Sequence, residues 1–177
     1  MKDLIKDKHS EAENTLFMKT IFEKKMPEKL WADFIYNKSV WYKAIETKAE
    51  EEGLLDDLEG IKRTEKLLED FNSSNKYENT PKIKKSVSDY FNYIMSLEPG
   101  KVMAHLYTWY MGDLSGGKMI KEIIKAPHSS LEFDNPEELK RNILSKINHD
   151  YIDEVNVAFD WAIKIMKEYD EELINGN

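Results

Sequence analysis

Two short segments of this chain hold residue types that could do chemistry together. The first is HSEAE, residues 9–13, in which a histidine precedes a glutamate by four positions. On a helix that spacing puts His9 and Glu13 on one face. A carboxylate beside an imidazole fixes the ring's orientation and tautomer, as it does for metal-binding histidines. Read alone the pair is a weak pattern, and a half-buried histidine with a local hydrogen bond accounts for it. The second segment is YMGDLSGGKM, residues 110–119, which puts three of the seven glycines into six residues. Glycine inside a helix costs about 0.5–1 kcal/mol relative to alanine, so three of them weigh against a typical stability of about 5–15 kcal/mol. Gly112 and Gly116 lie one turn apart and share a face, with Gly117 beside them. Close helix packing through small residues explains such a stripe, and so does a flat ligand lying against the backbone. Asp113 sits within that face, where a carboxylate makes no sense as core.

The combination says more than either part. A helix offering one axial histidine and another offering a glycine-smoothed face describe a clamp for a planar macrocycle. Heme iron takes a single histidine on one side and leaves the other side open. Cations would then be needed for its propionates. Lys2 lies seven residues before His9, and Lys140 and Arg141 fall on a later helix; each is also an ordinary solvated lysine or arginine when taken singly.

These residues need a scaffold, and the chain supplies helices for it. Its 177 residues are enough for one domain with a real core. Charged residues make up 34% and hydrophobic residues 41%, as in a soluble protein. The first twenty residues are charged throughout, so no signal peptide is expected; no run approaches the roughly 18 apolar residues of a membrane span, and a cytoplasmic protein is expected. There is no cysteine, which removes thiolate nucleophiles, iron–sulfur clusters and thiolate-ligated heme. A net charge of −8 argues against bulk nucleic-acid binding. Apolar periodicity near 3.6 dominates. It predicts helices over 2–22, from Pro27 and Glu28 to about Glu52, 54–71, 80–97, 101–125, 136–151 and 153–173. NSSNKYEN (72–79) and APHSSLEFD read as loops, and Thr80-Pro81 and Asn135-Pro136 as helix starts. The fold class is all-α, a single-domain bundle of about seven to eight helices spanning 1–177. A monomer is expected, because no long apolar seam remains unassigned.

With these residues in place, the chain resembles the heme oxygenase family. HSEAENTLFMK at 9–19 looks like that family's proximal-helix segment, and AHLYTWYMGDLSGGKMIKEI at 104–123 looks like its distal-helix signature. The resemblance covers most of the chain. It implies heme held between the proximal helix and a kinked distal one, with His9 as the iron ligand and Glu13 as its nearby carboxylate. Gly112 and Gly116 would be the backbone contacts over the distal side, Asp113 the residue ordering water there, and Tyr42 a member of the same water network. Lys2, Tyr107 and Lys140 match side chains that hold the propionates, and Thr108 and Gly117 join the heme-binding set. The implied activity is oxidative opening of heme, at once cofactor and substrate, to biliverdin, carbon monoxide and iron. Dioxygen and electrons from a ferredoxin or a flavoprotein reductase would drive it. Lys118, Lys121 and Lys125 follow helical spacing and could form part of the donor's docking patch.

Three positions depart from the family pattern. Trp109 stands where many members carry an arginine, Ala162 where an asparagine is frequent, and Leu144 where a propionate-binding arginine is common. They keep a second reading open, a heme carrier or sensor without turnover. A helical bundle without any cofactor gives no reason for Asp113 among glycines. A thiaminase-type relative would need a cysteine, and a di-iron bundle would need paired Glu-x-x-His motifs; the sequence has neither. His105, His128 and His149 are the rival ligands to His9.

Overall fold

In the computed structural model, which describes residues 1–74 and 79–176, Thr15 divides what the periodicity predicts as one helix over 2–22. A 3-10 turn at Lys2–Leu4 leads into α1 (Lys6–Glu13), and α2 (Leu16–Phe22) starts anew. Thr15 caps α2 by accepting from Met18 N at 3.3 Å. Asp170, far along the chain, accepts from the backbone N–H groups of Leu16 and Phe17 at 3.2 and 2.6 Å. A carboxylate at a helix start meets both the unpaired N–H groups and the positive end of the dipole. That partner is distant in sequence, so the break is a tertiary effect.

The remaining elements are α3 (Glu28–Glu51), α4 (Thr64–Ser74), α5 (Lys85–Met95), α6 (Val102–Ile123), a 3-10 turn at Ser129–Leu131, α7 (Pro136–Lys146), a 3-10 turn at His149–Tyr151 and α8 (Ile152–Asn175). Among the described residues the regular structure is helical throughout. The helix predicted over 54–71 begins ten residues later. Gly53 and Gly60 adopt φ of +71° and +82°, which turns the chain between α3 and α4. The start predicted at Thr80-Pro81 moves to Lys85, where Asn37 Oδ1 accepts from Lys84 N at 2.8 Å. Residues 75–78 of the predicted loop lie outside the described residues, and residues 72–74 belong to α4.

α3 and α6 occupy the middle of the bundle. α3 packs against α4, α5 and α6, and α8 packs against α1, α2, α5 and α6. Trp41, Ala44, Ile45 and Ala49 of α3 are fully buried, as are Val102, Ala104 and Leu106 of α6. Arg63, also buried, ties the α3–α4 turn to the segment after α6. Its guanidinium donates to the carbonyls of Gly60, Ser130 and Glu132 at 2.6–3.3 Å. Asp70 of α4 accepts from Ser129 N and Ser130 N at 2.8 and 2.9 Å. The 129–131 turn is thereby pinned against the C-terminal half of α6.

Candidate functional site

α6 runs unbroken from Val102 to Ile123, through all three glycines. None of the three has a positive φ; the glycines that do are Gly53, Gly60 and Gly100. What they provide is therefore space. A Cβ added at Gly112 or Gly116 would meet nothing within 4 Å, whereas one at Gly117 would lie 3.4 Å from Leu131 Cδ2. The stripe thus divides into two jobs. Gly112 and Gly116 leave a patch of helix backbone open, and Gly117 lets the pinned 129–131 turn come close. Gly117 is a packing glycine here rather than part of the open patch.

Asp113, between the open glycines, is held through both oxygens by α3. Tyr42 donates its hydroxyl hydrogen to Oδ2 at 2.6 Å, and Lys38 Nζ donates to Oδ1 at 2.8 Å. Lys38, Tyr42 and Glu46 follow one another at four-residue steps and so line one face of α3. Glu46 continues the α3–α6 connection, since Tyr110 donates to its Oε2 at 2.7 Å. Burial, reinforced by the charge of Asp113, pushes the Tyr42 hydroxyl well above its ordinary pKa. Tyr110 is raised in the same way by burial and by Glu46. Both phenols stay protonated and act as donors, so Asp113 is an acceptor only. Its remaining lone pairs can order water at the open face.

Lys38 is a member of this cluster that the sequence pattern alone does not single out. The resemblance implies Tyr42; Lys38 stands one turn before it on the same helix face, a spacing that becomes informative only once Tyr42 is placed.

His9 lies on α1 with its side chain more than half exposed. Its Nδ1 is 3.5 Å from Glu13 Oε1, and the ring meets Phe159 of α8 edge-on at a centroid distance of 6.0 Å. Nε2 has no hydrogen-bond partner among the described residues. α1 and α6 both pack on α8, so one helix positions both halves of the proposed clamp. Tyr107 is buried, and its hydroxyl has no partner among the described residues. Thr108, half-buried, donates its hydroxyl to Ala104 O of its own helix at 2.8 Å. Lys2 is exposed on the first turn, and Lys140 sits 3.4 Å from Glu137. Lys118 and Lys121 lie on α6, but Lys125 falls beyond its end at Ile123.

Two of the rival histidines, His105 and His128, have other partners, and His149 is exposed on the 3-10 turn at His149–Tyr151. His105 is fully buried, with Nδ1 2.7 Å from Tyr90 Oη and Nε2 2.9 Å from Glu154 Oε1. Trp109 Nε1 donates to Tyr90 Oη at 3.0 Å. One set of roles satisfies every atom: Trp109 donates to Tyr90, Tyr90 to His105, and the N–H of His105 to Glu154. The Trp109 indole is therefore committed to Tyr90. His128 lies 3.4 Å from Glu132. Ala162 is buried and Leu144 exposed. No three His, Asp or Glu side chains cluster as a metal site among the described residues. No described helix is long and apolar enough to cross a membrane. A groove of about 350 Å³ at the end of α8, lined by Lys84, Glu168 and Glu172 among others, contains none of the candidate residues.

The heme oxygenase family model matches residues 1–167. The chain is 28% identical to heme oxygenase 2 of Macaca fascicularis over an alignment of 204 positions, gaps included, covering 97% of this chain and 64% of the relative. It is 28% identical to heme oxygenase 2 of Synechocystis sp. over 200 residues, covering 94% and 79%. It thus spans about 64% of the length of the macaque and rat relatives it matches. Among solved structures, heme oxygenase-1 from Synechocystis in complex with heme superposes with a TM-score of 0.80 at 24% identity, covering 98% of this chain and 91% of that one. Heme oxygenase from Leptospira interrogans gives 0.81 at 20% identity, covering 95% and 97%. These structures share the fold, and the family match takes in the α1 histidine and the α6 glycine segment alike; the chain belongs to the heme oxygenase family.

Proposed function

We propose that this protein opens heme oxidatively to biliverdin, releasing carbon monoxide and iron, with dioxygen and electrons supplied from outside. The observation that carries the reading is Asp113, fixed through both oxygens beside an exposed stretch of helix backbone at Gly112 and Gly116. That patch fits a flat macrocycle because no side chain of the protein occupies it. Heme, when bound, supplies the iron that activates dioxygen next to its own ring carbons.

The protein's residues have four tasks. His9 would hold the heme iron through Nε2, with Glu13 within reach of Nδ1 to orient the imidazole. As the chain has no cysteine, the ligand is an imidazole, which lacks the electron push of a thiolate toward O–O cleavage. Gly112 and Gly116 admit the ring plane against the helix. Asp113 accepts hydrogen bonds from water and so places a proton source at the reacting face. Lys2, Tyr107 and Lys140 are available to the propionates. Electrons come from a ferredoxin or flavoprotein reductase, because nothing in the sequence resembles a flavin or nicotinamide site. Lys118 and Lys121 on α6 suit an acidic donor, the cysteine-free composition suits a reducing, cytoplasmic location, and a monomer is proposed because no long apolar seam is left unassigned.

The test is a hemin titration followed in the visible range, then ascorbate in air with catalase and an iron chelator present. Loss of the Soret band with growth of a broad red biliverdin absorption is the expected result. A saturable hemin complex that persists without biliverdin would instead make the protein a heme carrier or sensor.

A further inference from the structure

We propose that Lys38 is a positioning residue of this site, the cation that holds the Asp113 carboxylate in its working orientation. This rests on reading the open glycine face as the heme site. The Lys38 and Asp113 side chains are only 8% and 11% exposed, and Nζ stands 2.8 Å from Oδ1. A lysine is seldom buried this far without a specific partner.

α6 cannot supply such a cation itself. The residues one turn from Asp113 on its own helix are Trp109, Tyr110, Gly116 and Gly117, and none is charged. Trp109 is also engaged with Tyr90. The charge must come from a neighbouring helix, and α3 places Lys38 one turn before Tyr42 for that purpose. The other charged groups near the pair are committed elsewhere. Glu46 accepts from Arg63 N, Thr64 Oγ1 and Tyr110 Oη at 2.7–2.9 Å. The Arg63 guanidinium is spent on backbone carbonyls.

Two-point attachment has a consequence that a single bond does not. With Tyr42 on Oδ2 and Lys38 on Oδ1, the carboxylate cannot turn about its last torsion, so the lone pairs left for water keep a fixed direction. Stability alone does not account for the pair. Replacing a desolvated ion pair by apolar residues of similar volume is often neutral or stabilising. Misplacing a group at a reacting centre by an ångström, by contrast, can cost about a hundredfold in rate.

The experiment uses Lys38→Met, Lys38→Arg, Asp113→Asn and the Lys38→Met/Asp113→Asn double variant. Urea unfolding of the ligand-free proteins gives a double-mutant cycle. A coupling of about tenfold or more in the folding constant, roughly 1.4 kcal/mol, is expected. Lys38→Met should bind hemin as the parent does and yield about tenfold less biliverdin or lower still, and Lys38→Arg should recover the yield. Should Lys38→Met not fold, Lys38→Gln keeps a donor without the charge and is read in its place. Wild-type yield in the uncharged variant, no recovery by arginine, or no coupling in the cycle would each overturn the assignment. If the parent protein itself makes no biliverdin, the heme reading has failed and the positioning role goes with it. An inactive parent is thereby told apart from an active parent whose Lys38 variants are indifferent.

Discussion

Tyr110 gives its hydroxyl hydrogen to Glu46 across 2.7 Å, three residues before Asp113 on α6. The same carboxylate accepts from Arg63 N, Thr64 N and Thr64 Oγ1, so it starts α4 and anchors α6 at once. Glu46→Ala would strand these donors in a buried setting, at about 1–3 kcal/mol for each one left unpaired. The expected destabilisation is about 4 kcal/mol, against about 1 kcal/mol for Tyr110→Phe, which removes a single bond. Urea unfolding of the two variants checks the ratio; equal losses would mean that Glu46 has no special place.

Gly112 and Gly116 should separate stability from ligand binding. Added methyl groups meet nothing within 4 Å, and each Gly→Ala change inside a helix should raise stability by about 0.5–1 kcal/mol. Under the proposed function the same methyl groups would occupy the face offered to the macrocycle, so hemin affinity should fall. At Gly117 the Leu131 side chain is already at 3.4 Å, and the gain in stability should vanish there. Thermal melts and hemin titrations of the three alanine variants decide it. A loss of stability at Gly112 or Gly116 would contradict the open face.

His105 makes the fold sensitive to acid. Burial lowers its pKa below the ordinary 6.5, outweighing the Glu154 hydrogen bond that acts the other way. The unfolded chain therefore binds a proton that the folded chain refuses, and stability falls as pH drops below about 6.5. Glu154 is also lowered, from 4.5, mainly by its hydrogen bond to His105; its contribution is complete above 4.5 and fades only at lower pH. In urea titrations from pH 7.5 to 5, the wild type should lose stability steadily, and His105→Gln should show a flatter profile. Parallel profiles would place the acid sensitivity elsewhere.

His9→Ala tests the proposed iron ligand. The side chain is more than half exposed, so the variant should fold within about 0.5 kcal/mol of the parent. Its ferric hemin spectrum should change, and added imidazole should restore it. An unaltered spectrum would move the ligand to another residue, and His105 is a poor one because both its nitrogens are engaged.

Asp113→Ala should keep hemin binding, since the proposed role of the carboxylate is to order water, and lose biliverdin yield. It also leaves Lys38 buried without its partner, at about 3 kcal/mol for a broken buried pair. A stable variant with undiminished biliverdin would remove Asp113 from its assigned place.

The sequence by itself determined the all-helical class, the central helices and the two chemical segments. Those features are local. A 3.6-residue apolar period over α3, α6 and α8 survives whatever packs on it, and glycines in a row around an aspartate are visible without coordinates. Tertiary structure decided what depends on partners distant in the chain. Asp170 and Glu46 reach across the fold to begin α2 and α4, so the predicted boundaries at 2–22 and 54–71 gave way. The glycine stripe split into two open positions and one packing position only when the 129–131 turn was in place. Lys38 had the spacing of any surface lysine until α6 came against α3 and put Asp113 beside it; removal from water, a property of the assembled bundle, makes that contact strong.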